Sequence, residues 1–161
     1  MSRLPIAKML VGIFLAVSCP VGFAADPYSG SERDRAALEQ TSVAIRDAFA
    51  RGDLAAIMAC HHPDVIKALS YDKYLVGRDA VRADLAGNLA RFHLEFIEHR
   101  VENMFFQGDT AVEQSTFTIR GTPRDDGQPF LFKGRAQVVY VRYKQSPTGW
   151  ASIREIVQPA T

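Results

Sequence analysis

The chain has few of the features that mark a particular partner. It contains only two cysteines among 161 residues, and its 19 lysines and arginines nearly balance its 18 aspartates and glutamates. Because like charges form no block, the sequence has neither the basic footprint of a nucleic-acid-binding protein nor a polybasic segment for an anionic membrane surface. We therefore expect no nucleic acid among its partners.

Motifs for catalysis and metal binding are also missing. The sequence has no His-Glu-x-x-His, no cysteine pair at metal-ligand spacing and no Gly-x-Ser-x-Gly elbow. His93 and Glu95 share one strand face, as do His99 and Val101, but the spacing suggests no third metal ligand. We expect no metal site and no cofactor, and no motif by itself reveals a reaction.

The composition that remains is that of one folded domain. Hydrophobic residues make up 47% of the chain and aromatic residues 10%, which argues against disorder and is enough for a single core. We expect residues 25–32 to form a flexible leader and residues 33–158 to form the domain.

The amino terminus has the three zones of an export signal. Arg3 and Lys8 supply the positive start, and residues 9–18 form an uncharged apolar run that is too short to span a bilayer. Gly22-Phe23-Ala24 then places small residues before a cleavage point. We expect residues 1–24 to be a signal peptide and the protein to be periplasmic or secreted.

A second processing event competes with that interpretation. Ala16-Val17-Ser18-Cys19 resembles a bacterial lipobox, in which Cys19 would carry a lipid and anchor the protein to a membrane without a membrane span. If signal peptidase removes residues 1–24 instead, only Cys60 remains and no intramolecular disulfide forms. Cys60 lies in an apolar run, which favours a small buried hydrophobe over a reactive thiol.

Helical periodicity and caps predict the first two helices. Ser31 and Asp34 approximate a capping box, and Gly52 fits the left-handed position at a helix end. Asp53 can cap a short second helix, which Pro63 prevents from continuing. The next segment predicts a short strand over Val65 to Ser70, a loop over Tyr71 to Gly77 and a third helix that starts at Gly77-Arg78-Asp79.

After the third helix the hydrophobic period changes from 3.6 to 2. Turn signals separate four predicted strands, which are His93 to Phe106, Thr110 to Arg120, Phe130 to Lys144 and Trp150 to Gln158. Helices followed by strands predict an α+β fold. We expect a cone-shaped roll, with three amino-terminal helices packed on a strongly curved, mostly antiparallel sheet that encloses a pocket.

The order of elements and several turn motifs resemble the nuclear transport factor 2-like superfamily, in its SnoaL-like and ketosteroid isomerase-like branches. The motifs are Ala50 to Leu54, His62 to Val65, Gly77 to Val81, Gly108 to Ala111, Val141 to Tyr143 and Gly149-Trp150. The resemblance covers about residues 33 to 158. It implies a conical pocket and a homodimer, but these motifs serve turns and packing and are weak guides to activity.

The resemblance also allows one negative test. Ketosteroid isomerases use a tyrosine and an aspartic acid to hold an oxyanion and an aspartate to move the proton. The resemblance places these positions at Ile45, Val139 and Leu69, which are apolar. We therefore expect no steroid isomerisation by that mechanism.

The same alignment suggests candidate ligand-binding residues. If Val139 faces the pocket, strand alternation turns Arg135 and Gln137 toward it, where they could hold a small anionic or oxygenated ligand; the alternative is a row facing solvent or a partner subunit. Tyr71 and Tyr74 could cover a ligand with their rings, or pack under their loop.

His62 is the candidate catalytic base, because it leaves the second helix near the expected pocket mouth. The alternative is a polar cap at the end of that helix.

These observations predict an exported small-molecule-binding protein of the SnoaL-like kind with an unknown ligand. One alternative is an enzyme of isomerase, cyclase, dehydratase or hydrolase type that acts on a small oxygenated substrate by His- or Tyr-assisted proton transfer. Another is a dimeric interaction domain that uses the outer face of the sheet.

Overall fold

The computed structural model describes residues 28–160, which form three helices and six strands. In chain order these are α1 (Glu32–Arg51), α2 (Leu54–Ala59), β1 (His61–Ala68), β2 (Tyr74–Val76), α3 (Arg78–Arg91), β3 (Phe92–Gln107), β4 (Thr110–Pro123), β5 (Phe130–Arg142) and β6 (Trp150–Pro159). The predicted signal peptide and the lipidation candidate Cys19 lie outside the described residues.

The six strands form one sheet in the order β2-β1-β6-β5-β4-β3. β1 and β6 run parallel, and every other neighbouring pair is antiparallel. Register shifts interrupt the β3–β4 ladder twice and the β5–β6 ladder once, and such bulges bend and twist a sheet. The curved sheet carries the helices on one face, which confirms the predicted α+β class and the cone-shaped roll.

The helix ends follow the predicted local chemistry. The Ser31 hydroxyl accepts a hydrogen bond from the backbone N–H of Asp34 at 3.1 Å. Gly52 ends α1 in the left-handed region with φ of 66°. The Asp53 carboxylate then caps α2 by accepting from the Ala56 N–H at 3.0 Å. The Ser31 cap confirms the predicted start of α1, and the Gly52 conformation and the Asp53 cap confirm the predicted turn between α1 and α2.

Strand β1 differs from its prediction, since it begins at His61 rather than Val65. The Cys60 carbonyl accepts from the Ser152 N–H at 2.9 Å, so pairing with distant β6 extends the strand toward the helix. Pro63 lies where that register shifts, and a missing N–H is tolerated in such a place. The predicted loop after β1 also contains β2, which pairs with β1.

Two apolar clusters hold the layers together. The first joins α1 to β3–β6 and includes Leu38, Phe106 and Trp150, and the second joins α1, α2 and α3 to β1 and includes Ile57 and Val81. Cys60 is buried, as predicted, and burial raises the pKa of its thiol. No helix within residues 28–160 is long and apolar enough to cross a membrane.

Candidate functional site

A cavity of about 480 Å³ lies between the helices and the concave face of the sheet. This volume falls in the range of small-molecule sites, which is about 300–1,000 Å³. Much of the wall is aromatic, and the phenylalanines that line it are Phe49, Phe92, Phe96, Phe117, Phe130 and Phe132. The rings of Phe49, Phe96 and Phe117 meet edge to face, with centroids 5.5 and 6.0 Å apart. The expected pocket is therefore present and mostly apolar.

One stripe of α1 supplies the helical side of the cavity. Ser42, Ile45, Arg46 and Phe49 all line it, and their spacing of three and four residues places them on one helix face. Arg46 is the one charged residue of this stripe. Its Nη1 donates to the Ser42 hydroxyl one turn earlier at 2.6 Å.

Arg46, His99 and Glu113 form a chain of polar contacts in this wall. Arg46 Nη1 lies 3.1 Å from His99 Nδ1, and His99 Nε2 lies 3.4 Å from Glu113 Oε1. A guanidinium only donates, so Nδ1 of His99 accepts and the proton of the neutral ring resides on Nε2, facing the carboxylate. The second oxygen of Glu113, Oε2, is buried and has no hydrogen-bond partner.

Two direct ion pairs also line the cavity. Lys67 Nζ contacts Glu155 Oε2 at 2.5 Å, and Lys73 Nζ contacts Asp84 Oδ1 at 2.6 Å. The Lys67 and Glu155 side chains are 10% and 19% exposed, so this pair is well shielded from solvent. Each lysine in the wall thus has a carboxylate of its own.

Two further titratable side chains of the wall stay uncharged near neutral pH. Burial, together with the positive charge of Lys67, lowers the pKa of His61 to about 3, while its Nδ1–H donates to the Ile57 carbonyl at 2.8 Å. Burial, and then the carboxylates of Glu113 and Glu155, raises the pKa of Tyr140 well above its ordinary value. His61 therefore keeps a free acceptor at Nε2, and Tyr140 keeps its phenolic proton.

Of the two placements that the sequence leaves open for Arg135 and Gln137, the structure has the one outside this cavity. The residues of β5 that line the cavity are Ala136, Val138 and Tyr140, so Arg135 and Gln137 point to the outer face. There Arg135 pairs with Glu102 at 2.8 Å, and this hydrogen bond lowers the pKa of Glu102. A strand alternates with a period of two, so a phase error of one residue exchanges the faces.

The other predicted site residues also lie outside the cavity wall. His62 packs against the Tyr143 ring at a centroid distance of 4.9 Å, and its Nδ1 accepts from the Asp64 N–H at 3.2 Å. Tyr71 is fully exposed, and Tyr74 is 61% exposed. Any ligand contact by these three side chains stays a prediction.

Sequence reasoning missed the polar chain itself. The sequence pattern offers His99 only as part of an incomplete metal site, and no motif singles out Arg46 or Glu113. The sequence does contain a signal for Glu113. It lies on the same buried face of β4 as Ala111, Ser115 and Phe117, which occupy every second position of the strand. A charged residue in such a row is rarely buried without a function or a partner.

The isomerase positions fit the negative test in part. Ile45 and Leu69 line the cavity, whereas Val139 does not. The cavity-facing residues of β5 carry no carboxylate. Within residues 28–160, no three histidine, cysteine, aspartate or glutamate side chains are grouped so that they could hold a metal ion.

Several solved structures share this fold. A conserved protein from Planctomyces limnophilus has a TM-score of 0.72 and 19% identity, over 81% of this chain and 100% of that chain. A candidate aromatic ring hydroxylase from Novosphingobium aromaticivorans has a TM-score of 0.70 and 22% identity, over 82% and 92%. A candidate dehydratase from Streptomyces avermitilis, of the nuclear transport factor 2-like family, has a TM-score of 0.67 and 23% identity, over 79% and 96%. At these identities the likeness shows the fold alone.

Sequence comparison gives the family directly. No curated protein matches the chain. A profile of the SnoaL-like domain matches residues 43–145, which is more than half of the chain and runs from α1 to the end of β5. The helices, the curved sheet and the aromatic cavity agree with that match, and the chain belongs to the SnoaL-like domain family.

Proposed function

We propose that this protein is an exported binding protein whose cavity takes up a small, neutral and largely apolar molecule. The observation that carries the proposal is the cavity of about 480 Å³ with six phenylalanines in its wall. Apolar walls with a few placed polar groups are typical of small-molecule sites. The name of one similar structure, a candidate aromatic ring hydroxylase, is in keeping with a ring-containing ligand.

Charge balance in the wall favours a neutral ligand. Among the described residues that line the cavity, three cations face three carboxylates, namely Arg46, Lys67, Lys73, Asp84, Glu113 and Glu155. Both lysines are paired directly, and Arg46 is linked to Glu113 through His99. An anionic ligand would have to break one of these contacts, which costs more in a shielded site than in water. A neutral ligand thus takes the place of the anionic ligand that a cavity-facing Arg135 would have favoured.

A second candidate function is proton-transfer catalysis on the same ligand. His99 favours it, because its Nε2 faces Glu113 and its Nδ1 is held by Arg46, so the ring has a defined tautomer and orientation. In this reaction His99 and Glu113 would exchange a proton with an oxygenated substrate, and Tyr140 would donate a hydrogen bond. A turnover assay with His99→Gln separates this function from binding alone, since binding alone leaves no reaction to lose.

Native mass spectrometry tests the binding proposal. The protein is purified from the exported fraction of a bacterial host, and the complex mass and the mass of any molecule released on denaturation are recorded. We expect a stoichiometric small neutral molecule.

Two variants make this test specific. Ala136→Phe fills the cavity from β5, whereas Gln137→Phe introduces the same ring one residue away on the outer face. We expect the first to lose the bound molecule and the second to keep it. Equal retention by both would show that the molecule does not occupy the cavity.

Export and self-association are parts of the same proposal. Residues 1–24 have the composition of a signal peptide, and intact-mass measurement would detect either cleavage after Ala24 or a diacylglyceryl group on Cys19. A homodimer is supported by apolar side chains on the outer face of the sheet, where Tyr74, Val76 and Ile156 are each at least 60% exposed.

A further inference from the structure

Glu113 is a buried carboxylate in the cavity wall with one unsatisfied oxygen. Its side chain is only 2% exposed, and it lies on the same face of β4 as Phe117, four residues further along the strand. Oε1 faces the Nε2 of His99 at 3.4 Å, whereas Oε2 has no partner. Buried polar atoms are nearly always hydrogen-bonded, so we expect Oε2 to accept a hydrogen bond from a donor that is not part of the described protein structure.

The two side chains linked to this carboxylate, Arg46 and His99, already make other contacts. Arg46 Nη1 donates to Ser42 Oγ and to His99 Nδ1. The single N–H of the neutral His99 ring is directed at Oε1, so it cannot serve Oε2 as well. No described protein group of the wall, the Tyr140 phenol included, donates to Oε2 in the structure, so a molecule in the cavity, either water or the ligand, can supply that hydrogen bond.

We infer that Glu113 is the specificity-determining residue of the cavity, and that its Oε2 accepts a hydrogen bond from a hydroxyl group on a neutral, ring-containing ligand. The inference rests on the proposed binding function and names the ligand class for that site. The torsion that turns the carboxylate is broad, so a rotation can bring Oε2 toward the cavity, and Oε1 turns with it relative to His99, from which it lies 3.4 Å away. A hydroxyl suits this acceptor because O–H donors make short, strong bonds to carboxylates.

The surrounding groups agree with a hydroxylated ring. Phe96 and Phe117 present ring faces and edges to the same space, and aromatic ligands pack well against such walls. A charged donor such as an ammonium group would add a cation to a wall in which cations and carboxylates already balance. A neutral hydroxyl satisfies Oε2 without disturbing that balance.

The test uses two probes of nearly equal size, 2-naphthol and 2-fluoronaphthalene. Both can enter an apolar cavity, but only the hydroxyl donates a hydrogen bond. Isothermal titration calorimetry at neutral pH gives the dissociation constant of each probe for the unaltered protein. We expect 2-naphthol to bind about tenfold more tightly, which corresponds to about 1.4 kcal/mol.

A matched pair of variants assigns the preference to Glu113. In Glu113→Gln the amide oxygen accepts from His99 and the amide nitrogen replaces Oε2 with a donor, so the preference for 2-naphthol should fall to about twofold or less. Glu102→Gln makes the same change on the outer face, where Glu102 pairs with Arg135, and should leave the tenfold preference unchanged.

The outcomes separate this inference from the function on which it rests. Equal binding of the two probes to the unaltered protein would overturn the inference and leave the binding function standing, with water as the donor to Oε2. A preference that survives in Glu113→Gln would also overturn it, since the hydroxyl would then be held elsewhere. Failure of both probes to bind would overturn the binding function and the inference together. If Glu113→Gln does not fold, equal binding of the two probes to the unaltered protein still overturns the inference.

Discussion

His61 makes the stability of this protein depend on pH in a calculable way. Its side chain is buried in the cavity wall, and its pKa is lowered from an ordinary value of 6.5 to about 3 by burial and by the charge of Lys67. The unfolded chain therefore binds a proton at pH values where the folded chain does not. At pH values above the pKa of His61 in the unfolded chain, the ring is neutral in both states and its titration does not affect stability. As the pH falls from that value toward the pKa in the folded chain, the free energy of unfolding decreases.

The size of the effect follows from the two pKa values. Each pH unit between about 6.5 and about 3 lowers the free energy of unfolding by about 1.4 kcal/mol. At pH 5 the loss from this residue is thus about 2 kcal/mol relative to pH 7.5. Other groups titrate over the same interval, so the quantity to measure is a difference between the protein and a variant without this ring.

His61→Asn provides that difference. The asparagine amide can donate to the Ile57 carbonyl as Nδ1 of His61 does, but it does not titrate. Urea unfolding followed by the fluorescence of Trp150, the single tryptophan, gives the free energy of both proteins at pH 7.5 and pH 5. Between pH 7.5 and pH 5, we expect the free energy of unfolding to fall by about 2 kcal/mol less in the variant than in the unaltered protein. His62→Asn, one residue along the chain and outside the cavity wall, is the control. A stability difference that is the same at both pH values would refute the reasoning that His61 stays neutral in the fold.

Three further predictions follow from placement in the fold. Arg135→Ala should leave the affinity for 2-naphthol unchanged, because Arg135 lies on the outer face; a weaker affinity in calorimetry would contradict that placement. Gly52→Ala should destabilise the protein by about 1 kcal/mol in urea unfolding, since φ is 66° there, whereas Gly87→Ala within α3 should stabilise it by a few tenths to about 1 kcal/mol. If the outer face forms a homodimer, Ile156→Glu should yield monomers in light scattering while Tyr71→Glu, away from the patch, should not; a monomeric unaltered protein would end this idea.

Local chemistry explains why the helices could be predicted. The caps at Ser31 and Asp53 each use a side chain that contacts a backbone group three residues away. Gly52 adopts the left-handed conformation that only a residue without Cβ adopts easily. Such contacts are complete within a few residues, so the sequence next to them is sufficient to predict them.

Long-range pairing explains the errors in the first strands. β1 starts at His61 because it pairs with Ser152 of β6, about ninety residues later in the chain. β2 is a strand only because Tyr74 to Val76 pair with β1. Neither segment has a local pattern that predicts these strand boundaries, because pairing between distant segments is not encoded in either segment alone.

The candidate site depends on the same kind of pairing. Arg46 comes from α1, His99 from β3 and Glu113 from β4, and they meet only when the sheet curves under the helix. The sequence contains all three residues, but no spacing relates them. Strand alternation alone leaves both faces open for Arg135, and it lies outside the cavity because the phase of β5 is set by its neighbours β4 and β6.

By itself the sequence determined the α+β class, the helix caps, the four long strands and the superfamily resemblance, because these follow from local periodicity, turn residues and short motifs. It also determined that no known catalytic or metal motif is present. Only the tertiary structure decided which face of each strand meets the cavity, which charges neutralise one another there, and that Glu113 keeps an unsatisfied oxygen at its wall. A shift of one residue along a strand leaves the local pattern almost unchanged and exchanges its two faces, so packing against the rest of the molecule makes that choice.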